Sequence, residues 1–139
     1  MASRPLHPNL FREDAVAGPA LLAANCQACS RLHFPATEAC PWCGGESCSQ
    51  REVGRLGRLH LWTVVTTAPP GYHGPVPYGF GTVEIDEGLR VVTRLCESDP
   101  AKLMQRQRLR LVLESVGHDQ DGTEIMTWAY ATLADLEPT

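Results

Sequence analysis

The sequence predicts a mainly β protein: an N-terminal helix, a small metal-pinned ribbon and, after it, a five-stranded barrel. Three observations carry this. Four cysteines stand in two close pairs, Cys26 with Cys29 and Cys40 with Cys43, in a C-x2-C-x10-C-x2-C run. Beyond Gly54-Arg55-Leu56-Gly57 the chain turns to stretches rich in β-branched and aromatic residues, separated by Asp and Gly turns. Leu109, Leu111 and Leu113 alternate with Arg108, Arg110 and Glu114, the period of a strand with one face in a core.

Residues 6–17 place Leu10, Phe11, Ala15 and Val16 at helical spacing, with Asn9 as a cap and Glu13 and Asp14 in the first turns. Gly18-Pro19 ends that element, because proline cannot extend the ladder and glycine permits a change of direction. Residues 1–19 are therefore expected to form a helical arm, either a frayed end or a segment that docks on another subunit.

Residues 20–53 form the expected ribbon. Two C-x2-C knuckles place four thiolates at the corners of a tetrahedron, which is the closed geometry of structural zinc. Two disulfides or four unpaired thiols are the alternatives, and iron is the rival metal because Cys40-Pro41-Trp42-Cys43-Gly44 is similar to a rubredoxin knuckle. Cys43-Gly44-Gly45 leaves the backbone free to aim amides at sulfur. So short a ribbon buries too little apolar surface to offset chain entropy without its metal.

Residues 54–139 read as the barrel, with strands at 58–67, 78–85, 90–95, 108–116 and 124–133. Asp86-Glu87-Gly88 and residues 119–122 are compact turns, which makes the second and third strands one hairpin and the last two another. Residues 100–107 lack strand character and favour a helical turn. A helix between the third and fourth strands is the arrangement of an oligosaccharide/oligonucleotide-binding (OB) fold. Gly79 and Gly81 in the second strand point to a close backbone approach or strong coiling.

The chain has 139 residues and a net charge of −4, without basic runs, which counts against nucleic acid as the main partner. No apolar stretch approaches membrane-spanning length and no secretory leader is evident, so a cytoplasmic protein with metal-bound thiolates is expected.

Taken in order, Cys26-x2-Cys29, Phe34-Pro35, Cys40-Pro41-Trp42-Cys43-Gly44, Gly57, Leu61-Trp62-Thr63-Val64-Val65, Pro77-Tyr78-Gly79-Phe80 and Val83-Glu84-Ile85-Asp86-Glu87-Gly88 form one motif string. With it the chain resembles the zinc-ribbon plus OB-fold accessory proteins, formerly a domain of unknown function, that accompany acyl-CoA enzymes. The resemblance runs from the start of the expected helix to about residue 133. It implies a non-catalytic subunit of a thiolase-like complex, with structural zinc, which stabilises its partner and helps form an acyl-CoA or CoA site. Residues 69–78 are similar to forms that accompany thiolase-like subunits. The chain departs from the family at Ser30, where glycine is common after the first knuckle, and at Arg106-Gln107, where a glycine-led pair commonly precedes the fourth strand.

The expected sites follow. The metal ligands are Cys26, Cys29, Cys40 and Cys43, with Cys48 and His33 as bystanders. The contact loop at 68–78 offers Tyr72, His73 and Tyr78, the second strand offers Phe80, and Arg55 and Arg58, with Arg90 and Arg94, surround the barrel as candidates for CoA phosphates. No catalytic residue is expected: Cys96 has no evident base, and His60, His73 and His118 are scattered. The competing readings are an accessory subunit of an acyl-CoA hydratase or aldolase, a single-strand nucleic-acid binder using Trp62, Phe80, Trp128 and Tyr130, and an independent thioesterase.

Overall fold

The computed structural model describes residues 3–7, 9–14, 16–72 and 74–133. Its strands are, in chain order, β1 (Ser3–Pro5), β2 (Phe11–Asp14), β3 (Gly18–Cys26), β4 (Leu32–His33) and β5 (Cys48–Val53). They continue with β6 (Leu56–Val65), β7 (Tyr78–Ile85), β8 (Arg90–Leu95), β9 (Arg108–His118) and β10 (Glu124–Thr132).

Strands β6 to β10 close on themselves. The ladders β6–β7, β7–β8, β9–β10 and β6–β9 are antiparallel, and β8 meets β10 in parallel at Leu95 and Tyr130. This is the expected five-stranded barrel, with β7 and β8 at the expected boundaries. The Asp86–Gly88 turn is closed by the Ile85 amide on the Leu89 carbonyl at 2.8 Å, and Gly88 takes the positive φ of 101° that suits glycine. The turn before β10 is held by Asp119 Oδ1, which accepts the amides of Asp121 and Thr123 at 2.9 and 3.0 Å. Between β8 and β9 stands a single 3₁₀ turn, Pro100–Lys102, with the Asp99 side chain accepting the Ala101 amide.

Gly79 and Gly81 are small because the neighbouring backbone sits where their side chains would be. A Cβ on Gly81 would press into the Leu61 carbonyl oxygen, and one on Gly79 into that of Glu97. Strand β6 shifts register between Leu59 and Leu61, opposite this point, so the bulge and the glycine occur together.

The expected N-terminal helix is corrected to strand. Phe11 pairs with Leu21 and Glu13 with Pro19 in an antiparallel β2–β3 ladder, and Asn9 adopts a φ of 69° in place of a helix cap. A single stretch this short nucleates a helix poorly, whereas β3 offers a ready edge and Trp128 offers a surface 6.1 Å from the Phe11 ring. Ahead of it β1 lies parallel to the first half of β10, with Arg4 paired to Asp119 at 3.2 Å.

In the ribbon, β3 is central: β5 lies on one edge, and β2 and β4 share the other. Ribbon and barrel bury one core, in which Leu21, Ala23 and Val53 pack with Leu59, Val83, Ile85, Leu109 and Tyr130. The Tyr130 hydroxyl donates to the Gly54 carbonyl at 2.6 Å across the junction, and burial raises its pKa. Tyr130→Phe leaves that carbonyl without its donor in a buried place. The expected cost is about 1–3 kcal/mol, read from denaturant midpoints.

Both departures from the family pattern fall at left-handed backbone: Ser30 has φ 64° and Arg106 φ 66°. Glycine takes this conformation without the Cβ clash that costs other residues about 1–2 kcal/mol. Ser30→Gly and Arg106→Gly are each expected to raise stability by about 0.5–1 kcal/mol after the entropy of the freer unfolded chain is counted. Calorimetry on the two variants checks this.

Candidate metal centre and barrel cleft

The ribbon brings Cys26, Cys29, Cys40 and Cys43 together, all four sulfurs within 4.8 Å of one another. A tetrahedral zinc with Zn–S bonds of about 2.3 Å holds its sulfurs roughly 3.8 Å apart. The Sγ–Sγ separations are 3.5 Å for Cys26–Cys43 and 3.7 Å for Cys29–Cys40, so the donor set fits that ion.

The knuckles also aim backbone amides at sulfur. Cys29 N–H points to Cys26 Sγ at 3.5 Å, Trp42 N–H to Cys40 Sγ at 3.3 Å and Gly45 N–H to Cys43 Sγ at 3.4 Å. The Cys29 amide is the main reason that the Cys26 thiol is lowered to about 6. Burial opposes ionisation of Cys40, but the Cys43 and Trp42 amides outweigh it and lower its pKa. At Cys43 the Gly45 amide favours the thiolate, yet the sulfurs of Cys26 and Cys29 oppose it and the thiol is pushed up to about 12. Four thiolates this close repel one another, and a divalent cation removes that conflict.

Cys48 faces Cys26 across β3–β5 but stands outside the four-sulfur cluster, and burial first, then nearby Cys26 and Cys40, raise its thiol. His33 is buried and its Nε2 meets the Thr37 hydroxyl at 2.9 Å, so it braces the loop after β4.

The barrel carries a second feature. A cleft of about 670 Å³ opens between the loop after β6 and the end of β9, over β7, β8 and β10. Leu6, Tyr72, Phe80, Val92, Ile125 and Trp128 give it a mostly apolar lining. In OB folds the surface between these two loops is the usual ligand face.

Tyr72 and Phe80 thus share one cleft, and the rings of Tyr72 and Tyr78 stand 5.2 Å apart. His73 lies outside the described residues. Arg55 and Arg58 are elsewhere. Arg55 donates to Glu52 at 2.8 Å and to the Ala17 carbonyl at 3.2 Å, and Arg58 stands on the ladder opposite Glu84 and Arg108.

Arg94 holds more structure than its place among the barrel arginines suggested. Its guanidinium lies 4.5 Å from the Tyr78 ring centroid and 5.6 Å from that of Tyr72, pairs with Glu114 at 2.8 Å and donates to the Tyr72 hydroxyl at 3.2 Å. The hydroxyl in turn donates to the Pro75 carbonyl at 2.7 Å, so the loop is pinned to β8 and β9.

Fold and sulfur cluster together define a zinc-ribbon protein joined to an OB barrel. The family profile described as the ChsH2 rubredoxin-like zinc ribbon domain matches residues 14–47, and that of the ChsH2 C-terminal OB-fold domain matches residues 50–114. The chain belongs to this zinc-ribbon and OB-fold family, known as DUF35.

Among its relatives is the benzoylsuccinyl-CoA thiolase subunit BbsA of Thauera aromatica, 27% identical over 89% of this chain and 85% of the relative. A DUF35 domain-containing scaffold protein of Pyrococcus furiosus is 26% identical over 84% of this chain and 86% of its own. The solved structure titled Ltp2-ChsH2(DUF35) aldolase superposes with a TM-score of 0.65 at 24% identity, covering 82% of this chain and 85% of that one, and supports the fold.

Proposed function

We propose that the protein is a non-catalytic accessory subunit of a thiolase-like acyl-CoA enzyme complex, which stabilises the catalytic partner and helps form its acyl-CoA site. The observation that carries this reading is near full-length similarity to a chain named as a thiolase subunit, supported by relatives named as scaffold proteins. In this reading Cys26, Cys29, Cys40 and Cys43 hold zinc. Four thiolates leave that ion no open position for substrate, so its work is to fasten the ribbon.

The cleft face, with Tyr72, Phe80 and, behind them, Tyr78, meets the partner or the acyl-CoA; His73 of the same loop joins that set, and Arg58, away from the cleft on β6, offers a separate contact. Arg55 contributes by holding the ribbon-to-barrel junction through Glu52. No membrane role is assigned, and no helix among the described residues is long and apolar enough to cross one.

The test is reconstitution with the thiolase-like subunit. Neither chain alone turns over thioester at the rate of the pair, and Tyr72→Ala raises KM about three- to tenfold with zinc content unchanged. Equal kinetics with Tyr72→Ala would reject the loop as a contact, and full activity of the catalytic chain alone would reject the accessory role.

A further inference from the structure

We propose that the notch where the ribbon meets the β7–β8 turn binds a phosphorylated purine, with the Trp42 indole stacking on the base and Arg31 and Arg51 holding phosphate. Trp42 is 59% exposed, the kind of surface a globular chain leaves open on a large ring only at some cost. The Arg31 guanidinium carbon lies over the indole, 5.1 Å from the ring centroid, a cation–π contact that sets a positive charge against one face of the ring, so a base stacks on the other. Arg51 lines the same notch, which holds about 500 Å³, within the range of nucleotide-sized sites, and which lies at a boundary between two structural units.

The charges there are unbalanced. Arg51 has a 3.5 Å contact with Asn25 Oδ1, and neither Arg31 nor Arg51 is ion-paired among the described residues. The one carboxylate in the lining, Glu87, is turned to the Gly54 amide at 3.0 Å. Two guanidiniums against one committed carboxylate, on a chain of net charge −4, mark a local preference for an anion. The ring adds what an anion alone does not need. A single stacking platform flanked by cations fits one nucleotide, whereas single-stranded nucleic acid is held by successive platforms along a basic groove. The notch shares no lining residue with the barrel cleft, so it is a site separate from that cleft.

The test uses the full zinc-loaded chain and adenosine 3′,5′-bisphosphate as the probe, followed by calorimetry and by tryptophan fluorescence. Saturable binding is expected, with adenosine and inorganic phosphate each at least about tenfold weaker. Trp42→Ala and Arg31→Glu are each expected to weaken binding about tenfold or more, while Trp42→Phe retains most of it. Zinc stoichiometry should stay constant throughout, because Trp42 serves Cys40 through its backbone amide and not its side chain. No saturable binding at millimolar probe overturns the proposal, as does undiminished binding to the Trp42→Ala, Arg31→Glu double variant. Equal affinity for inorganic phosphate overturns the role of the ring. An octaglutamate peptide that binds through these residues where the bisphosphate does not would assign the notch to an acidic partner and overturn it as well.

Discussion

Replacing Cys40 by alanine is expected to reduce bound zinc from one equivalent to well below half at micromolar protein and to melt the ribbon. Cys40 is buried, its sulfur lies 3.7 Å from Cys29 Sγ, and it receives the Trp42 amide, so its loss opens the coordination shell and orphans a donor together. The damage does not stay local. Leu21, Ala23 and Val53 of the ribbon pack in the same core as Leu59 and Tyr130, and a loosened β3–β5 pair exposes part of the barrel's interior. A loss of roughly 3 kcal/mol or more is expected, some 6–12 °C in Tm for a chain of this size. Cys48→Ser is the control, since Cys48 is outside the cluster, and it should keep its zinc. Zinc affinity of the native chain should also fall as pH falls, because each ligand binds as a thiolate and protons compete for it. Stoichiometric zinc and unchanged melting in Cys40→Ala would contradict the assignment.

Gly81→Val should be at least as damaging, through sterics alone. Gly81 lies between Trp62 of β6 and Thr93 of β8, and a Cβ there would meet the Leu61 carbonyl oxygen and stand 2.9 Å from the Trp62 Cα. Both obstacles are backbone atoms inside a closed ladder, so relief requires moving β6 and its bulge. The expected cost is about 3 kcal/mol or more, seen as insoluble protein or a large fall in denaturant midpoint, with zinc still bound in any soluble fraction. Gly122→Ala is the contrast: its φ of 79° disfavours a side chain, but nothing stands within 4 Å, so the cost should stay near 1 kcal/mol. Similar, small effects at both positions would show that close strand approach does not shape this barrel.

The parts of the fold that the sequence made legible are those that local chemistry settles. Strands β7 and β8 were readable because period-two alternation flanks a turn that Gly88 alone can close, and the two cysteine pairs encode their own proximity. Strand β2 was not, since Phe11 obeys a helical spacing in sequence but takes its hydrogen bonds from β3 and its ring contact from Trp128, far along the chain. The same distance concealed the Arg94 cluster, whose members Tyr72, Arg94 and Glu114 are joined only when the barrel sets β8 and β9 on either side of β10 and brings the loop after β6 against them. Phe80 and Tyr72 could be picked out as aromatic residues on a strand and a loop, but their shared cleft depends on the closing of the barrel. The Tyr130–Gly54 bond, across 76 positions, joins ribbon to barrel by a contact that no local pattern announces.

The most direct test of the accessory-subunit account is native mass spectrometry of the assembly purified through this chain from its own cell. The account predicts a single defined complex that contains a thiolase-like polypeptide at fixed ratio and one zinc for each copy of this chain. A metal-free chain, or a zinc-bound chain that travels without a second polypeptide and cleaves acyl-CoA by itself, would contradict it.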